Sequence, residues 1–443
     1  SNSMQNMHTR PGRETTMRKT QAIPFSLRSG SICSALAALA LAGCTSMAPV
    51  YERPAAPVAT QWPAFGVQSQ EASATPAGDL LWQDFVTDAR LRTLIDKALA
   101  DNRDLRVAAL SIEQARAQYQ IRSADQTPTI NLAATGNRQP ASGGGISSTY
   151  TAGLALASWE IDFFGRIASL KDAALAQYLS TEEARRAVQT SLVASVANTW
   201  LSLQTNDALL VLTERTLATR EDSLRLIRLR FDEGVTSALD LRQAESLVAA
   251  ARVALAQQQR LRALDVNTLT LLVGQPLSPD LLDTRDTGGT PFASVPAGLP
   301  SDLLARRADV RQAEQLLLAA NANIGAAKAA FFPRIALTAS AGSASNALSG
   351  LFKDGSWGWT LAPQMLLPIF DAGRNQAGLD SALAGRDIAV AQYEKAIQSA
   401  FREVADALAG RATLGEQWRA QQQQAEAEAD RFRLADLRYR NGV

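Results

Sequence analysis

Few side chains in this sequence are suited to covalent chemistry, and they cluster at one end. The 443 residues contain one histidine, His8, and two cysteines, Cys33 and Cys44. A body without histidine all but excludes histidine–zinc sites and Ser–His–Asp or Cys–His catalysis. A body without cysteine also has no disulfide framework. An all-carboxylate site stays open in principle, but no paired-carboxylate motif stands out. The remaining reactive group is a cysteine thiol, and the chemistry its surroundings suggest is acylation.

Residues 17–44 read "MRKTQAIPFSLRSGSICSALAALALAGC". Arg18, Lys19 and Arg28 form a basic start, and residues 32–42 form an apolar run too short to span a bilayer as a helix. The run ends in Leu41-Ala42-Gly43-Cys44, which resembles a lipobox. In that bacterial signal the leader, here residues 1–43, is removed and Cys44 becomes the lipidated N-terminus. An ordinary secretory signal with a chance cysteine is the alternative. Aspartate after the cysteine tends to retain lipoproteins in the inner membrane; Thr45 stands there instead, which favours the outer membrane. Several acyl chains give stable anchoring. Residues 44–79, rich in Pro, Ala, Ser and Thr, read as a lipidated, extended tether.

Lys and Arg total 44 and Asp and Glu 43, so the formal net charge of +1 gives no case for a nucleic-acid partner. The abundance of Ala, Leu, Gln and Arg favours long helices.

An internal repeat organises the rest. "NRDLRVAAL" at 102–110 matches "RADVRQAEQ" at 307–315, and Pro128, Ile130 and Leu132 map to Pro333, Ile335 and Leu337 at an offset of 205. Farther on the offset is 208, taking Arg166 to Arg374, Phe231 to Tyr439 and Gly234-Val235 to Gly442-Val443. A period this long marks one duplicated unit rather than a solenoid. Repeat 1 covers 80–275 and repeat 2 covers 302–443, with a linker at 276–301. Each starts with a helix, over 89–124 and about 302–330, closed by Pro128 or Pro333. Two alternating segments follow, within about 128–161 and 333–369. A long helix then begins after Gly165 or Gly373. From Arg166 to Glu233 neither Gly nor Pro occurs, and the chain returns through 236–273. Such a run spans roughly 100 Å at 1.5 Å per residue, too long for one compact domain. Repeat 2 has its long helix at about 374–441.

In the alternating segments Ile130, Leu132 and Ala134 oppose Thr129, Asn131 and Thr135. Ile335, Leu337, Ala339 and Ala341 oppose Ala336, Thr338 and Ser340, and Trp357 and Trp359 share one face as candidate membrane-interface aromatics. This suits membrane β-strands, although a soluble sandwich fits alternation alone equally well. Four strands cannot close a barrel, and an open edge in lipid leaves backbone groups unsatisfied. Membrane strands would therefore require several chains to share one barrel.

Together with the repeat and the lipobox, several stretches resemble the TolC/OprM family of outer-membrane efflux channels, in its lipoprotein (NodT-like) branch. They are "YERPAAPV" (51–58), "ADNRDLRVAA" (100–109), "GLPSDLLARRADV" (298–310), "AAFFPRIALTAS" (329–340), "PIFDAGRNQA" (368–377) and "AVAQYEKAIQSAFREVADALA" (389–409). The resemblance implies a mostly α fold with a small β-barrel part. Long helical hairpins form a periplasmic tube, and four strands per chain build a twelve-stranded barrel in a homotrimer. It also implies an equatorial belt from residues 274–301 and those before 89. Such a chain is a passive duct, not an enzyme, and needs no cofactor. Its implied partners are a periplasmic adaptor (membrane fusion protein), an inner-membrane RND-type transporter and outer-membrane lipid.

By the same resemblance Arg230, Phe231, Gly234, Val235, Ser237 and Leu239 match a periplasmic tip that meets the adaptor, and Tyr439, Gly442 and Val443 match a second tip. Packing within the hairpin explains Phe231 and Leu239 equally well. Arg440 is a candidate gate residue; its ordinary alternative, shared with Arg438, is a solvated helix end favoured by the helix dipole. Nothing after Val443 matches Thr236–Gln275, so the sequence is expected to lack a returning helix at its C-terminal end, with a naturally shortened form as the alternative. A type I protein-secretion channel is the nearest competing function. An envelope lipoprotein scaffold of coiled coils is a competitor of another class, and it needs no strand hairpins. An envelope hydrolase is disfavoured by the missing His and Cys.

Overall fold

The computed structural model describes residues 46–63, 80–284, 291–293, 295 and the backbone of 302–440. Helices and strands follow the duplicated order. Repeat 1 comprises α1 (Trp82–Phe85), α2 (Ala89–Asp101), α3 (Arg103–Ala124), β1 (Ile130–Pro140), β2 (Ile146–Ile161), α4 (Arg166–Asp232) and α5 (Ala238–Val273). Repeat 2 comprises α6 (Asp302–Arg306), α7 (Ala308–Ala329), β3 (Arg334–Ser345), β4 (Trp357–Leu366) and α8 (Arg374–Arg440).

The pattern predicts one helix over 89–124 and one over about 302–330; the structure breaks both. Asn102 is extended (φ −64°, ψ 131°), and its side chain accepts from the Leu105 amide, capping α3. Its Nδ2 donates to the Leu272 carbonyl at 2.8 Å, near the end of α5. Gly274, at φ 80°, closes α5 so near the break that a Cβ there would meet the Asp101 carbonyl at 2.5 Å. Neither Asn102 nor Arg307 is a Gly or Pro, so the breaks left no strong mark in the sequence.

The long helices are uninterrupted. α4 and α8 each run 67 residues, on the order of 100 Å. α4 packs along α3, α5 and α7. Leu192, Val196, Trp200 and Leu203 on α4 bury against Leu91, Leu94 and Ile95 of α2 and Leu269 and Val273 of α5. A polar set fixes the α4–α5 register. Asn206 donates to Asp265 at 2.6 Å, Gln258 donates to Asn206 Oδ1 at 2.7 Å, and Asp207 accepts from Arg262 and Thr284. Partly buried polar groups demand partners, so sliding the helices would break several bonds at once.

The segments flanking the repeats close on this core. Phe85 stacks on Phe292 at 5.0 Å, Thr87 donates to the Pro291 carbonyl, and Ala293 donates to that of Phe85. Residues 46–63 are extended and lie on α7 and α8, where Val310, Leu317, Tyr393 and Ile397 form a second core joined by Tyr51, Val58 and Trp62. The Asn321 amide donates to the Pro49 carbonyl at 2.8 Å, and Trp62 stacks on Phe401 at 4.9 Å.

The four strands form one antiparallel sheet in the order β1-β2-β3-β4. The pairing carries β1 to Pro140 and β3 to Ser345 and opens β2 at Ile146, so the strands reach far toward their hairpin turns. β4 stops at Leu366. A bulge between Leu156 and Trp159 puts Ser158 at φ 48°. It inserts one extra residue, which keeps Trp159 on the face of Leu337.

Candidate functional site

Three places carry the functional geometry. The first is the sheet. The register aligns Leu132, Leu154, Ala341 and Trp359 in one row, and Ile130, Leu156, Ala339 and Leu361 in the next. These apolar rows lie open: Leu132 is 85% exposed, Trp357 70% and Trp359 67%. The opposite face aligns Asn131, Ala155, Ser340 and Thr360, with Ser340 and Thr360 hydroxyls 2.7 Å apart and those of Thr135 and Thr151 2.6 Å apart. An apolar outer face over a polar inner one is the membrane-barrel pattern, reversed from a soluble sandwich whose apolar face is covered. Among the described residues β1 and β4 have no neighbour on their outer edges. Gly153 and Gly342 face each other across β2 and β3, and a Cβ on either would come within 2.5 Å of the opposing backbone.

The second place is the turn between α4 and α5. Gly234 adopts φ 71°, the Val235 amide donates to the Arg230 carbonyl at 2.8 Å, and the Gly234 amide donates to that of Phe231 at 2.9 Å. This pair of bonds is a Schellman end, which needs a left-handed residue at Gly234. Ser237 then opens α5 with a capping box. Its Oγ accepts from the Asp240 amide, and its amide donates to Asp240 Oδ2. Hydrogen bonds from the Ser237 and Thr236 hydroxyls hold the Asp240 carboxyl below its usual range. The turn brings together Arg230, Phe231, Gly234, Val235, Ser237 and Leu239, with Val235 and Leu239 largely exposed. Tyr439 and Arg440 close α8, while Gly442, Val443 and Cys44 lie outside the described residues.

The third place is where residues 46–63 meet Glu314 of α7. Arg53 Nε and Nη2 donate to the two Glu314 oxygens at 2.7 and 2.9 Å, and the Tyr51 hydroxyl donates to Oε1 at 3.1 Å. Burial and the Glu314 charge push the Tyr51 phenol up to about 12, and the Glu314 hydrogen bond raises Arg53. Among the described residues no group of three or more His, Cys, Asp or Glu side chains could hold a metal. No described helix is long and apolar enough to cross a membrane.

A sheet that is apolar outside, polar inside and open at both edges, joined to helices of this length in two repeats, narrows the possibilities. A family model described as outer membrane efflux protein matches residues 94–275 and 299–443, one match over most of each repeat. The chain belongs to the outer membrane efflux protein family. Among curated relatives, the probable efflux pump outer membrane protein TtgC of Pseudomonas putida is 49% identical over 92% of this chain and 86% of its own length. Outer membrane protein OprJ of Pseudomonas aeruginosa is 47% identical over 93% of this chain and 87% of its own. Among solved structures, the open state of the Neisseria gonorrhoeae MtrE outer membrane channel shares 40% identity at a TM-score of 0.80, covering 90% of this chain and 89% of that one. This outer membrane efflux protein is thus a channel of the outer membrane, a transport duct built on two copies of one unit.

Residue types alone did not single out the aromatics at the helix-facing end of the strands. Trp159 shares the outward face there, and Phe331, Phe332 and Phe370 are exposed at the joints between strands and helices. "SWEIDFF" and "AAFFPR", flanking strand ends, were the available signal.

Proposed function

We propose that three copies of this outer membrane efflux protein close one twelve-stranded barrel. The barrel continues into a periplasmic helical tube and serves as the passive exit of a tripartite system carrying drugs and other small molecules. The single observation that carries this reading is the four-stranded sheet, apolar on its outer face and, among the described residues, unpaired at both edges. In lipid each unsatisfied backbone group costs several kcal/mol, so β1 of one copy pairs with β4 of the next. A wide polar lumen with hydroxyl-lined walls offers few selective contacts, so choice of substrate belongs to the inner-membrane RND-type transporter.

The α4–α5 turn is the docking point for the periplasmic adaptor, through Val235 and Leu239, which the turn leaves largely exposed. Tyr439, Gly442 and Val443 belong to the second tip, and Arg440 to the gate. Cys44 carries the lipid that adds an anchor to the barrel; the support is its place two residues before Ser46, where the extended segment on α7 begins. A photo-cross-linker at Leu239 should capture the adaptor in cells, and Gly234→Val, which forces a β-branched residue into φ 71°, should weaken that capture. Capture unchanged by Gly234→Val would remove the turn from docking. A labelled fatty acid should mark the wild type and not Cys44→Ala; equal marking would remove the lipid from Cys44.

A further inference from the structure

Beside the joint of α7 and β3 lies an open hollow of about 420 Å³, lined by Met47, Lys328, Phe331 and Phe332. We propose that this hollow seats an anionic phospholipid of the outer membrane's inner leaflet, with its phosphate on Lys328 Nζ and an acyl chain over Phe331 and Phe332. The inference rests on the barrel reading and deepens it.

Position comes first. α7 ends at Ala329 and β3 begins at Arg334, so the hollow sits where the apolar sheet face gives way to helices. If the sheet spans the membrane, headgroups of the inner leaflet lie at this level. Phe331 and Phe332 are each 40% exposed there, although Phe332 also stacks on Phe164 at 4.9 Å. The aromatic faces therefore continue the outward apolar surface instead of closing into the protein.

Charge decides between two lipid occupants. Lys328 is half-buried and has no side-chain hydrogen bond or ion pair among the described residues. Several partly buried arginines here are matched, Arg166 to Glu160, Arg307 to Asp309 and Glu403, and Arg311 to Glu183, whereas Lys97 and Arg185 share the unpaired state of Lys328 but do not lie beside this hollow. The C-terminal end of α7 favours a cation at Lys328 but supplies no counter-ion. The acyl chains of a lipidated Cys44 would satisfy the two phenylalanines and leave Lys328 unmatched. A phospholipid satisfies both, because its phosphate oxygens accept from an ammonium group while its chain covers the rings.

The test is native mass spectrometry of the full chain, with added dioleoyl phosphatidylglycerol or dioleoyl phosphatidylcholine, which share acyl chains and differ in net charge. The wild type should retain more of the glycerol lipid than of the choline lipid. Lys328→Gln and Lys328→Glu should lose that excess, and Lys328→Arg should keep it. A double change, Phe331→Ser with Phe332→Ser, should lower retention of both lipids. Equal retention of the two lipids by the wild type, or an excess that survives Lys328→Glu, would overturn the proposal. So would an excess that rises in Cys44→Ser, since the protein's own acyl chains would then be the occupant. The same spectra report oligomeric state: absence of oligomer would count against the barrel, whereas an intact oligomer without lipid preference would count against this site alone.

Discussion

Asn102 and Arg307 stand 205 residues apart, at equivalent points of the two repeats, and both are extended between two helices. Repeat 1 holds its break with a neutral amide, which caps α3 and bonds the Leu272 carbonyl. Repeat 2 holds its break with charge: Arg307 donates to both Asp309 oxygens, at 3.0 and 2.7 Å, and reaches Glu403 of α8 at 2.7 Å. These hydrogen bonds raise the guanidinium pKa. Burial pushes the Asp309 carboxyl up, but Arg307 more than offsets this and holds it below its usual range. Repeat 2 also carries residues 46–63, braced on Glu314, while the core of repeat 1 is completed by α1 and the segment around Phe292. A duplicated backbone has thus kept its geometry while the groups that hold it have diverged.

The comparison can be broken most sharply at Asn102. Asn102→Ala removes a cap worth about 1 kcal/mol and leaves the Leu272 carbonyl without its side-chain donor, for a total of about 2–3 kcal/mol. Amide hydrogen exchange over α2, the start of α3 and the end of α5 should accelerate on the order of 30–150-fold, equally at low and high salt. Exchange unchanged within a factor of two would show that packing alone holds the break.

Arg53→Ala comes next. It leaves the Glu314 carboxylate, whose side chain is 11% exposed, with only the Tyr51 hydroxyl. Because Arg53 is itself 54% exposed, the expected loss is discounted to about 1–2 kcal/mol. Limited proteolysis should cut between residues 46 and 63 faster, and the charge-conserving Arg53→Lys should restore part of the protection. Equal cleavage of wild type and Arg53→Ala would mean that Trp62 and Pro49 hold the segment unaided.

How much of this was legible follows from what each feature asks of the chain. The long hairpin of α4 and α5 was readable because Gly and Pro are absent from both helices, α8 because it repeats α4 at an offset of 208 despite its four glycines, and the sheet because Ile130, Leu132, Leu337 and Ala339 alternate with small polar residues. The breaks were not, since Asn102 and Arg307 are ordinary residues whose extended backbone depends on partners far away, Leu272 and Glu403. Docking of residues 46–63 was hidden for the same reason: a Pro- and Ala-rich stretch reads as a tether until Glu314 and Phe401 are brought beneath it. At the tip the turn at Gly234 was plain, but the reciprocal bonds of Ser237 and Asp240 were not drawn from the sequence.

Arg307→Ala should have a smaller effect, below about 1 kcal/mol, because the pair is partly solvated. Its loss should shrink further in 1 M salt, where charges are screened within about 3 Å. Salt dependence at Arg307 without any at Asn102 would sharpen the contrast between the repeats, and identical salt responses would erase it. The smallest effect is expected at Asp240. Its folded pKa lies below its unfolded value, so its contribution is complete above the unfolded value, about 3.9, and is lost as pH falls through the folded one. Exchange in the first turn of α5 should therefore rise, relative to Asp240→Asn, only on acidification below about pH 4. A change confined to pH 5–7 would contradict the assignment.

The central claim is that β1 of one copy pairs with β4 of another. Its most direct measurement is cross-linking between single cysteines placed on the polar face of the two edge strands, Asn131→Cys on β1 with Thr360→Cys or its β4 neighbour Gln364→Cys, using a short bifunctional reagent in intact membranes. Each pair in one chain should give covalent dimers and trimers on a denaturing gel, up to a closed trimer, and each cysteine alone should give no ladder. Fully labelled monomers from every pair would contradict the shared barrel.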